Sequence, residues 1–455
     1  MYGVEDTIAA ISTSLGEGAI GIVRMSGADA RRIAGNLFVP VQRRLSWQSH
    51  HLYYGHIVEP DTGQTIDEVL VGYMQSPHSY TREDVVEINC HGGIVALRRI
   101  LHLCLREGAR QALPGEFTLR AFLNGRLDLS QAEAVLDIVR AKTDLGLRHA
   151  VGQLEGHLSA RVKALRARLL DTLAYLTATI DFTEQEIPFR DISPDLAEVR
   201  ENLRELLRNA DRGIIYRQGV KAAIIGRPNV GKSSLLNALL RTNRAIVTPI
   251  PGTTRDTIEE TLSLDGVPVL LVDTAGLNAQ TADMVEQLGI ERSRLALQAA
   301  DVILWVIDGS EPLTEADQAI ASLLVDRPAL IVVNKIDLPL IAQVNGLLPE
   351  SRKVYLSALT GAGLPDLERT LLDVVLGTGM TADDAPLVNS LRHKQAIERA
   401  LNHVAAAAHS YDSGWPADCI TIDLAAACDA LGEITGEHVS DSLLETIFSN
   451  FCIGK

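Results

Sequence analysis

The sequence predicts a protein of mixed class, in which a mostly parallel α/β segment interrupts a helical region and a separate α/β or α+β region precedes both. The chain has 455 residues, too many for one hydrophobic core, which suggests about three domains. Its apolar pattern changes from short segments to helical period near Asp128. Between about Lys221 and Leu376 the pattern consists of continuous apolar runs, and it then returns to helical period.

The N-terminal region, residues 1–118, contains short apolar segments that are typical of strands: AIGIVRM, HLYYGHIV, DEVLVGYM and DVVEINC. A helix is predicted near Ile94 to Glu107. Strands together with a helix predict a compact α/β or α+β domain.

Helical period begins after Asp128, where Ser130 and Glu133 match a capping box. A long amphipathic stretch follows from Leu145 to about Phe182. Ser193 then begins another helix, which we expect to stop near Gly213. Three more helical stretches follow residue 377: NSLRHKQAIERALNHVAAAAHSY, CITIDLAAACDALGEI and SDSLLETIFSNF.

The segment between these helices alternates strand and helix, in the order KAAIIG, SLLNALL, VPVLLVD, ADVILWVID, PALIVVNK and KVYLSAL. Its strands are apolar throughout rather than alternating, as expected for a parallel sheet covered on both faces. The arrangement indicates a domain inserted into a helical one.

Charge and cysteine content exclude several classes. The net charge of -16 excludes a nonspecific polyanion binder. The cysteines form no CxxC pair, so neither a zinc site nor a disulfide framework is indicated. With no apolar run of membrane-span length, we expect a cytoplasmic protein without a membrane partner.

A phosphate-binding loop follows the first strand of the inserted segment. GRPNVGKSS matches G-x-x-x-x-G-K-[ST] from Gly226 to Ser233 and leads into a helix. Backbone N–H groups and the helix N-terminus favour phosphate there. Lys232 is predicted to contact the β and γ phosphates, and Ser233 to bind Mg²⁺.

Further motifs follow in the order that a GTPase requires. Asp273 begins DTAG, where its carboxylate can hold magnesium through water and Gly276 can bond the γ phosphate. NKID provides Asn334 and Asp337, and the Asp337 carboxylate can accept two hydrogen bonds that guanine offers and adenine lacks. An unpaired buried acceptor costs about 1–3 kcal/mol, so GTP is favoured over ATP. SAL at Ser357 completes the base pocket.

PGTTRD lies between these motifs, and its Thr254 is predicted to bind magnesium and to sense the γ phosphate. Leu277 stands directly after DTAG, where Ras-like GTPases have a glutamine that orients the attacking water. Another group must take that role. The residues alone do not choose among the nearby candidates Arg255, Asp283, Glu286 and Arg292.

Together with the terminal FCIGK, the motifs GRPNVGKSS, PGTTRD, DTAGL and NKID resemble the MnmE (TrmE) family of tRNA modification GTPases over essentially the whole chain. The resemblance implies an N-terminal folate-binding, aminomethyltransferase-like domain (1–118), a helical domain in two parts (119–215 and 378–455) and an inserted P-loop GTPase domain (216–377). It implies a homodimer that forms a heterotetramer with the FAD-dependent partner MnmG. The complex would add a carboxymethylaminomethyl or aminomethyl group to carbon 5 of the wobble uridine of tRNA.

The resemblance also implies roles for particular residues. Glu286 would orient the water, acting with Lys232 and Thr254 in hydrolysis, and Ser233 and Thr254 would bind Mg²⁺. A potassium ion would be held by Asn229, Thr248, Ile250 and Thr253. The implied GTP-binding set comprises Asn229, Val230, Gly231, Lys232, Ser233, Ser234, Thr248, Pro249, Ile250, Pro251, Gly252, Thr253, Thr254, Asp273, Thr274, Ala275, Gly276, Asn334, Lys335, Asp337, Ser357 and Ala358.

In the N-terminal region the resemblance assigns Arg24, Glu87 and Arg126 to 5-formyltetrahydrofolate or a related folate, with Lys455 reaching the same pocket. Without it, the two arginines could equally be surface residues, and Glu87, between Val86 and Ile88, could face solvent.

Two other functions remain open. A regulatory GTPase of ribosome assembly shares the switch motifs but usually carries an RNA-binding module, and the tail has no GxxG loop. A folate-dependent methyltransferase gated by GTP is the third possibility.

Overall fold

The computed structural model describes residues 6–41, 46–182, 187–243, 259–273, 300–377 and 388–455. Within these ranges it contains a seven-stranded sheet and a six-stranded sheet, together with a large helical part. The predicted combination of an N-terminal α/β part, helices and a mostly parallel sheet is confirmed.

The N-terminal part runs in the order β1 (Ile8–Ile11), β2 (Gly18–Ser26), α1 (Ala30–Leu37), β3 (Phe38–Pro40), β4 (His51–Val58), β5 (Thr65–Met74), β6 (Val85–Gly92), α2 (Ile94–Arg106), β7 (Arg110–Gln111) and α3 (Glu116–Leu123). Its strands lie in the order β3-β4-β5-β6-β2-β1-β7. The pairs are antiparallel apart from β1 and β7, which are parallel.

One face of this sheet packs against α1 and α2, in a core that includes Val23, Val71, Ile88, Ile33 and Leu97. The opposite face carries exposed apolar side chains on neighbouring strands, among them Leu52, Tyr54 and Leu70. Antiparallel strands place successive side chains on opposite faces, so the sheet has one buried and one open side.

The first helical stretch contains α4 (Leu129–Arg140), α5 (Asp144–Leu154), α6 (His157–Asp181), α7 (Ser193–Arg208) and α8 (Ala210–Gln218). The inserted part contains β8 (Val220–Ile225), α9 (Lys232–Asn243), β9 (Glu259–Leu264), β10 (Val267–Asp273), β11 (Val302–Asp308), α10 (Glu315–Leu323), β12 (Ala329–Asn334), β13 (Lys353–Tyr355) and α11 (Leu364–Leu376). The chain then returns through α12 (Leu391–Asp412), α13 (Ala417–Thr435) and α14 (Asp441–Ser449).

The sheet of the inserted part has the order β13-β12-β11-β8-β10-β9 and is parallel apart from the edge strand β9. Both of its faces are covered. Along β11, Leu304 and Val306 belong to one core, while Ile303, Trp305 and Ile307 belong to the other. This explains why the central strands are apolar at nearly every position.

The two helical stretches share one core, which contains residues of α6, α7, α12 and α13. Leu165, Leu203, Ile397 and Leu424 are all buried in it. The helical part is therefore a single packing unit that the inserted sheet interrupts in sequence.

The structure corrects two local expectations. The capping box at the start of α4 is formed by Asp128 and Gln131, because Ser130 and Glu133 are buried and bind other groups. The helix that begins at Ser193 ends at Arg208 rather than near Gly213, and Gly213 lies within the next helix, α8. A Cβ at this position would come within 2.0 Å of the Val388 carbonyl oxygen, so the glycine serves close packing rather than helix termination.

Candidate functional site

The phosphate loop connects β8 to α9, at the edge where the parallel strands end. Ser233 and Ser234 lie exposed in the first turn of α9, while Val230 is buried beneath the loop. The Lys232 ammonium donates hydrogen bonds to the carbonyl oxygens of Gly226 (2.9 Å) and Arg227 (2.6 Å). The Lys232 ammonium and the N-terminus of α9 thus lie at the same loop, which favours bound phosphate.

The buried Asn334 side chain of NKID connects the phosphate loop to SAL. The Asn334 amide donates to the Val230 carbonyl at 2.9 Å and accepts a hydrogen bond from the Ala358 N–H at 2.9 Å. Gly231 has a φ of +99°, and a Cβ there would lie 2.2 Å from Asn334 Nδ2. The contact therefore requires glycine at position 231.

The predicted base loop follows β12. The Lys335 ammonium forms an ion pair of 2.6 Å with the Asp308 carboxylate, which is buried at the end of β11. Burial raises the pKa of Asp308, but the hydrogen bonds from Lys335 and Ser310 outweigh it, so this pKa lies below its ordinary value. Asp337 is exposed beyond Lys335, where its carboxylate is open to a base.

SAL forms the adjoining wall of the base site. Ser357 is fully buried, and its hydroxyl accepts a hydrogen bond from the Thr360 N–H at 3.2 Å. The Ile336 N–H donates to the Leu356 carbonyl at 3.3 Å, so the two loops lie side by side. The structure thus brings the phosphate loop, NKID and SAL together.

Several predicted residues lie outside the described part of the chain: Thr248, Pro249, Ile250, Pro251, Gly252, Thr253, Thr254, Thr274, Ala275, Gly276 and Glu286. The backbone of Asp273 ends β10, next to β8, but its side chain is likewise outside the description. Of the predicted metal ligands, Asn229 and Ser233 are described, and both are exposed at the phosphate loop. Their oxygens suit hard cations such as Mg²⁺ and K⁺.

The predicted folate residues converge at a second site. Arg24 on β2 and Glu87 on β6 are cross-strand partners and form an ion pair of 2.8 Å. The Arg24 guanidinium lies 5.8 Å from the centre of the Tyr80 ring, and the Arg126 guanidinium lies 4.8 Å from it. Glu87 is therefore paired with Arg24 rather than free in solvent. Arg126 contacts the Tyr80 ring rather than standing as an isolated surface arginine.

The C-terminal tail reaches the same site. The Gly454 carbonyl accepts hydrogen bonds from Arg24 Nη1 at 3.3 Å and from the Ser12 hydroxyl at 3.1 Å. Ile453 forms a β-bridge with Pro114. These contacts place Lys455, the next residue, beside the N-terminal part.

Sequence reasoning missed the aromatic residues of this site. Tyr80 is half-buried and its hydroxyl lies 2.9 Å from that of Thr118, while the Phe117 ring lies 5.7 Å from the Arg24 guanidinium. Burial raises the pKa of Tyr80, so its phenol stays protonated at neutral pH. No local spacing marks these rings, since Tyr80 lies between β5 and β6 and Phe117 on α3, and only the fold brings both near Arg24.

A phosphate loop, a base loop and SAL on a mostly parallel sheet define a GTP-binding hydrolase of the P-loop class. Residues 7–126 match the family model described as "GTP-binding protein TrmE N-terminus", and residues 129–452 match the "MnmE helical domain". The chain belongs to the MnmE family of tRNA modification GTPases.

Relatives with that name are similar over the full length. A "tRNA modification GTPase MnmE" of Desulforamulus reducens is 47% identical over 461 residues, covering 99% of this chain and 100% of the relative. One of Chloroflexus aurantiacus is 50% identical over 455 residues, with coverage of 99% and 100%. A crystal structure of Aquifex aeolicus Era is 32% identical and covers 40% of this chain and 66% of its own, with a TM-score of 0.29.

The predicted GTPase activity and the role in tRNA modification are confirmed by this membership. Nucleotide binding with Mg²⁺ follows from it in general form. Among the helices that the structure describes, none is long and apolar enough to cross a membrane.

Proposed function

We propose that this chain hydrolyses GTP in order to drive modification of the tRNA wobble uridine at carbon 5, together with an FAD-dependent partner of the MnmG type. The product would carry a carboxymethylaminomethyl or aminomethyl group. The observation that carries the proposal is the second site, where Arg24, Glu87, Arg126 and the tail meet in a chain that also holds a GTP site. A GTPase that only regulated assembly would have no use for such a site.

The chemistry of this second site fits 5-formyltetrahydrofolate or a related folate. Arg126 and Lys455 supply cations for the anionic glutamate tail, and the Glu87 carboxylate can accept hydrogen bonds from pterin N–H groups. Both guanidinium groups lie near the Tyr80 ring, which adds an aromatic side chain to the site. Arg24 holds Glu87 in place, so the acid is oriented before a ligand binds.

A homodimer is proposed through the open face of the N-terminal sheet. Leu52, Tyr54 and Leu70 are exposed there, and the exposed fraction of Leu52 is 67%. Tyr54 and Leu70 are direct cross-strand partners, so they form one continuous surface. Exposed apolar patches of this kind are typical of protein interfaces.

Hydrolysis is proposed to use two cations. Ser233 and Thr254 would bind Mg²⁺, while Asn229 would bind K⁺ with Thr248, Ile250 and Thr253. The potassium ion would offset charge between the β and γ phosphates, which an arginine finger covers in other GTPases, and Glu286 would orient the water. Pairing of two GTPase domains would offset the entropy cost of ordering the potassium-binding segment.

The partner chain would supply most of the tRNA contacts. The net charge of -16 opposes nonspecific binding of a polyanion, so a basic surface must come from elsewhere in the complex. We propose that the complex is a heterotetramer. In this chain, region 1–118 would form the folate and dimer domain, regions 119–215 and 378–455 the two parts of the helical domain, and region 216–377 the GTPase domain.

Calorimetry with 5-formyltetrahydrofolate tests the proposal on the full chain. We expect binding by the parent protein and a loss of tenfold or more in Arg126→Ala, because the cation on Tyr80 is removed. Arg99→Ala on α2 is the matched control, since Arg99 is an exposed arginine whose ion pair is with Glu59. Absence of binding by the parent protein would rule out the folate site.

A further inference from the structure

The turn between β9 and β10 is in direct contact with the helical part. Leu264 pairs with Val267, so Asp265 and Gly266 form a two-residue hairpin turn, and both have positive φ angles, 46° and 85°. The Thr143 hydroxyl donates a hydrogen bond of 2.8 Å to the Gly266 carbonyl. This contact joins residues 123 positions apart in sequence.

Thr143 serves two structures at once. It is the N-cap of α5, where its hydroxyl oxygen accepts a hydrogen bond from the Gly146 N–H at 3.1 Å. The same hydroxyl donates its proton to the hairpin. Thr143 is only 8% exposed, so both bonds are shielded from water.

The fit at Gly266 leaves no room for a side chain. A Cβ there would lie 2.7 Å from the Leu145 Cβ and 2.9 Å from its Cδ2. Leu145 itself packs against the core on one face of the GTPase sheet. The start of α5 is thus packed into the inserted part by an apolar contact as well as by a hydrogen bond.

The hairpin lies between two predicted nucleotide-binding motifs in the sequence. β9 follows PGTTRD in the sequence, and β10 ends at Asp273, where DTAG begins. Seven residues of β10 span about 23 Å from the docked turn to Asp273. A paired, packed hairpin moves as a unit, so displacement at one end is carried to the other.

A second contact joins α5 to α8, the helix that leads into β8 and the phosphate loop. The His149 ring of α5 stacks on Tyr216 of α8, with centroids 5.4 Å apart and an interplanar angle of 21°. α8 continues through Gly219 directly into β8. Helix α5 therefore touches both chain segments that lead toward the nucleotide.

We propose that the β9–β10 turn, docked on Thr143 and Leu145, couples the nucleotide state of the GTP site to the helical part. Thr143 and Leu145 are then positioning residues for hydrolysis, acting through the hairpin. Coupling between sites is reciprocal, so a change at the docking contact must alter the relative affinities for GDP and GTP. The inference rests on GTP binding alone and needs neither tRNA, folate nor a partner protein.

The test compares two nearly isosteric variants of the full chain. In Thr143→Asn the side chain can still cap α5 and donate to Gly266. In Thr143→Asp the carboxylate can cap α5 but cannot donate, and it faces the Gly266 carbonyl. The measurement is the ratio of the dissociation constants for GDP and a non-hydrolysable GTP analogue, with the GTPase rate measured in parallel.

We expect the affinity ratio to stay within twofold of the parent in Thr143→Asn and to change about fivefold or more in Thr143→Asp, the usual scale of coupling between sites. Leu145→Ala should shift the affinity ratio in the same direction as Thr143→Asp. If Thr143→Asp does not fold, the ratio measured for Leu145→Ala tests the proposal in its place. A merely structural contact would change both affinities by one factor. Unchanged ratios in the folded variants overturn the proposal, whereas the folate calorimetry above would be unaffected.

Discussion

At the scale of single residues, Asn334 is a described side chain that connects two segments of the nucleotide site. It bonds Val230 in the phosphate loop and Ala358 in SAL, and it is buried. The NKID spacing predicted that these segments belong to one site. The bond to Val230 explains why a glycine must stand at position 231.

Gly231→Ala should weaken GTP binding tenfold or more. The left-handed φ costs about 1–2 kcal/mol for alanine, and displacing the Asn334 amide costs about 1–3 kcal/mol more. Equilibrium binding of GTP measures the loss. Gly35→Ala in α1 is the control, since a Cβ there meets nothing within 4 Å. Parent-like affinity in Gly231→Ala would contradict the role of the close contact.

Asp337→Asn should lose its preference for guanine. The carboxylate accepts hydrogen bonds from guanine N–H groups, and an amide facing them costs about 1–3 kcal/mol, or roughly 5- to 150-fold in affinity. The affinity for xanthosine triphosphate should rise as the affinity for GTP falls. Binding of both nucleotides is measured side by side, with Asp326→Asn, an exposed turn residue, as control. An Asp337→Asn variant that prefers GTP as strongly as the parent removes the assignment.

At the scale of elements, the sequence predicted the strands and helices better than the contacts between them. Continuous apolar runs identified β8, β10, β11 and β12, because a sheet covered on both faces leaves few polar positions. The short edge strand β9 was missed, since a polar edge strand has no such signal. Ser130 and Glu133 matched a capping box by spacing, yet tertiary packing buries both.

Helix α4 shows what replaced that capping box. Both oxygens of the buried Glu133 carboxylate accept hydrogen bonds from Arg392, at 3.0 Å each, and one lies 2.8 Å from His393 Nε2. Burial raises the pKa of Glu133, but the hydrogen bonds from His393 and Arg392 and the charge of Arg392 outweigh it and hold this pKa well below its usual range. Neighbouring Asp137 binds Arg217 of α8 at 2.7 Å. α4 thereby holds the helical segments on both sides of the inserted part.

The His393 cluster predicts a pH dependence of stability. Burial lowers the pKa of His393 below its ordinary value, which Glu133 opposes in part and the cations Arg392 and Arg217 reinforce. Below pH about 6.5 the unfolded chain therefore binds a proton that the folded chain does not, and stability is lost as the pH falls. The loss can reach about 1.4 kcal/mol per pH unit until the folded-state pKa is reached.

Thermal unfolding of the full chain between pH 7.5 and 5.5 measures this effect. We expect Tm to fall less steeply with decreasing pH in His393→Asn than in the parent, because the titrating group has been removed. His102→Asn, at an exposed position of α2, should keep the slope of the parent. An unchanged slope in His393→Asn would show that His393 does not titrate differently on folding.

At the scale of the whole molecule, two sites lie in one chain, and the sequence could not place them in space. The contact between Arg24 and Gly454 joins residues 430 positions apart. Only the packing of α14 and the bridge from Ile453 to Pro114 brings the tail there. The family resemblance indicated the residues that we propose for folate, whereas the nearby Tyr80 and Phe117 became visible only in three dimensions.

GTP hydrolysis should depend on potassium and on protein concentration. Leu277 replaces the usual glutamine, so a cation held at Asn229 would have to offset the developing charge. Initial rates in equal concentrations of potassium and sodium should differ by about tenfold or more. Asn229→Gly, which keeps the positive φ of 63° but removes the amide, should abolish the difference, while Asn36→Ala should keep it. Equal rates in both salts would exclude a potassium-dependent mechanism.

The central claim is that GTP hydrolysis by this chain drives wobble-uridine modification, and nucleoside analysis of bulk tRNA tests it most directly. Cells lacking the gene are compared with cells that carry the parent gene or Lys232→Ala. The Lys232 ammonium lies over the phosphate loop, so this variant should not bind triphosphate tightly. We expect the modified wobble uridines to vanish without the gene, to return with the parent and to stay absent with Lys232→Ala. Unchanged wobble uridines in cells without the gene would contradict the account.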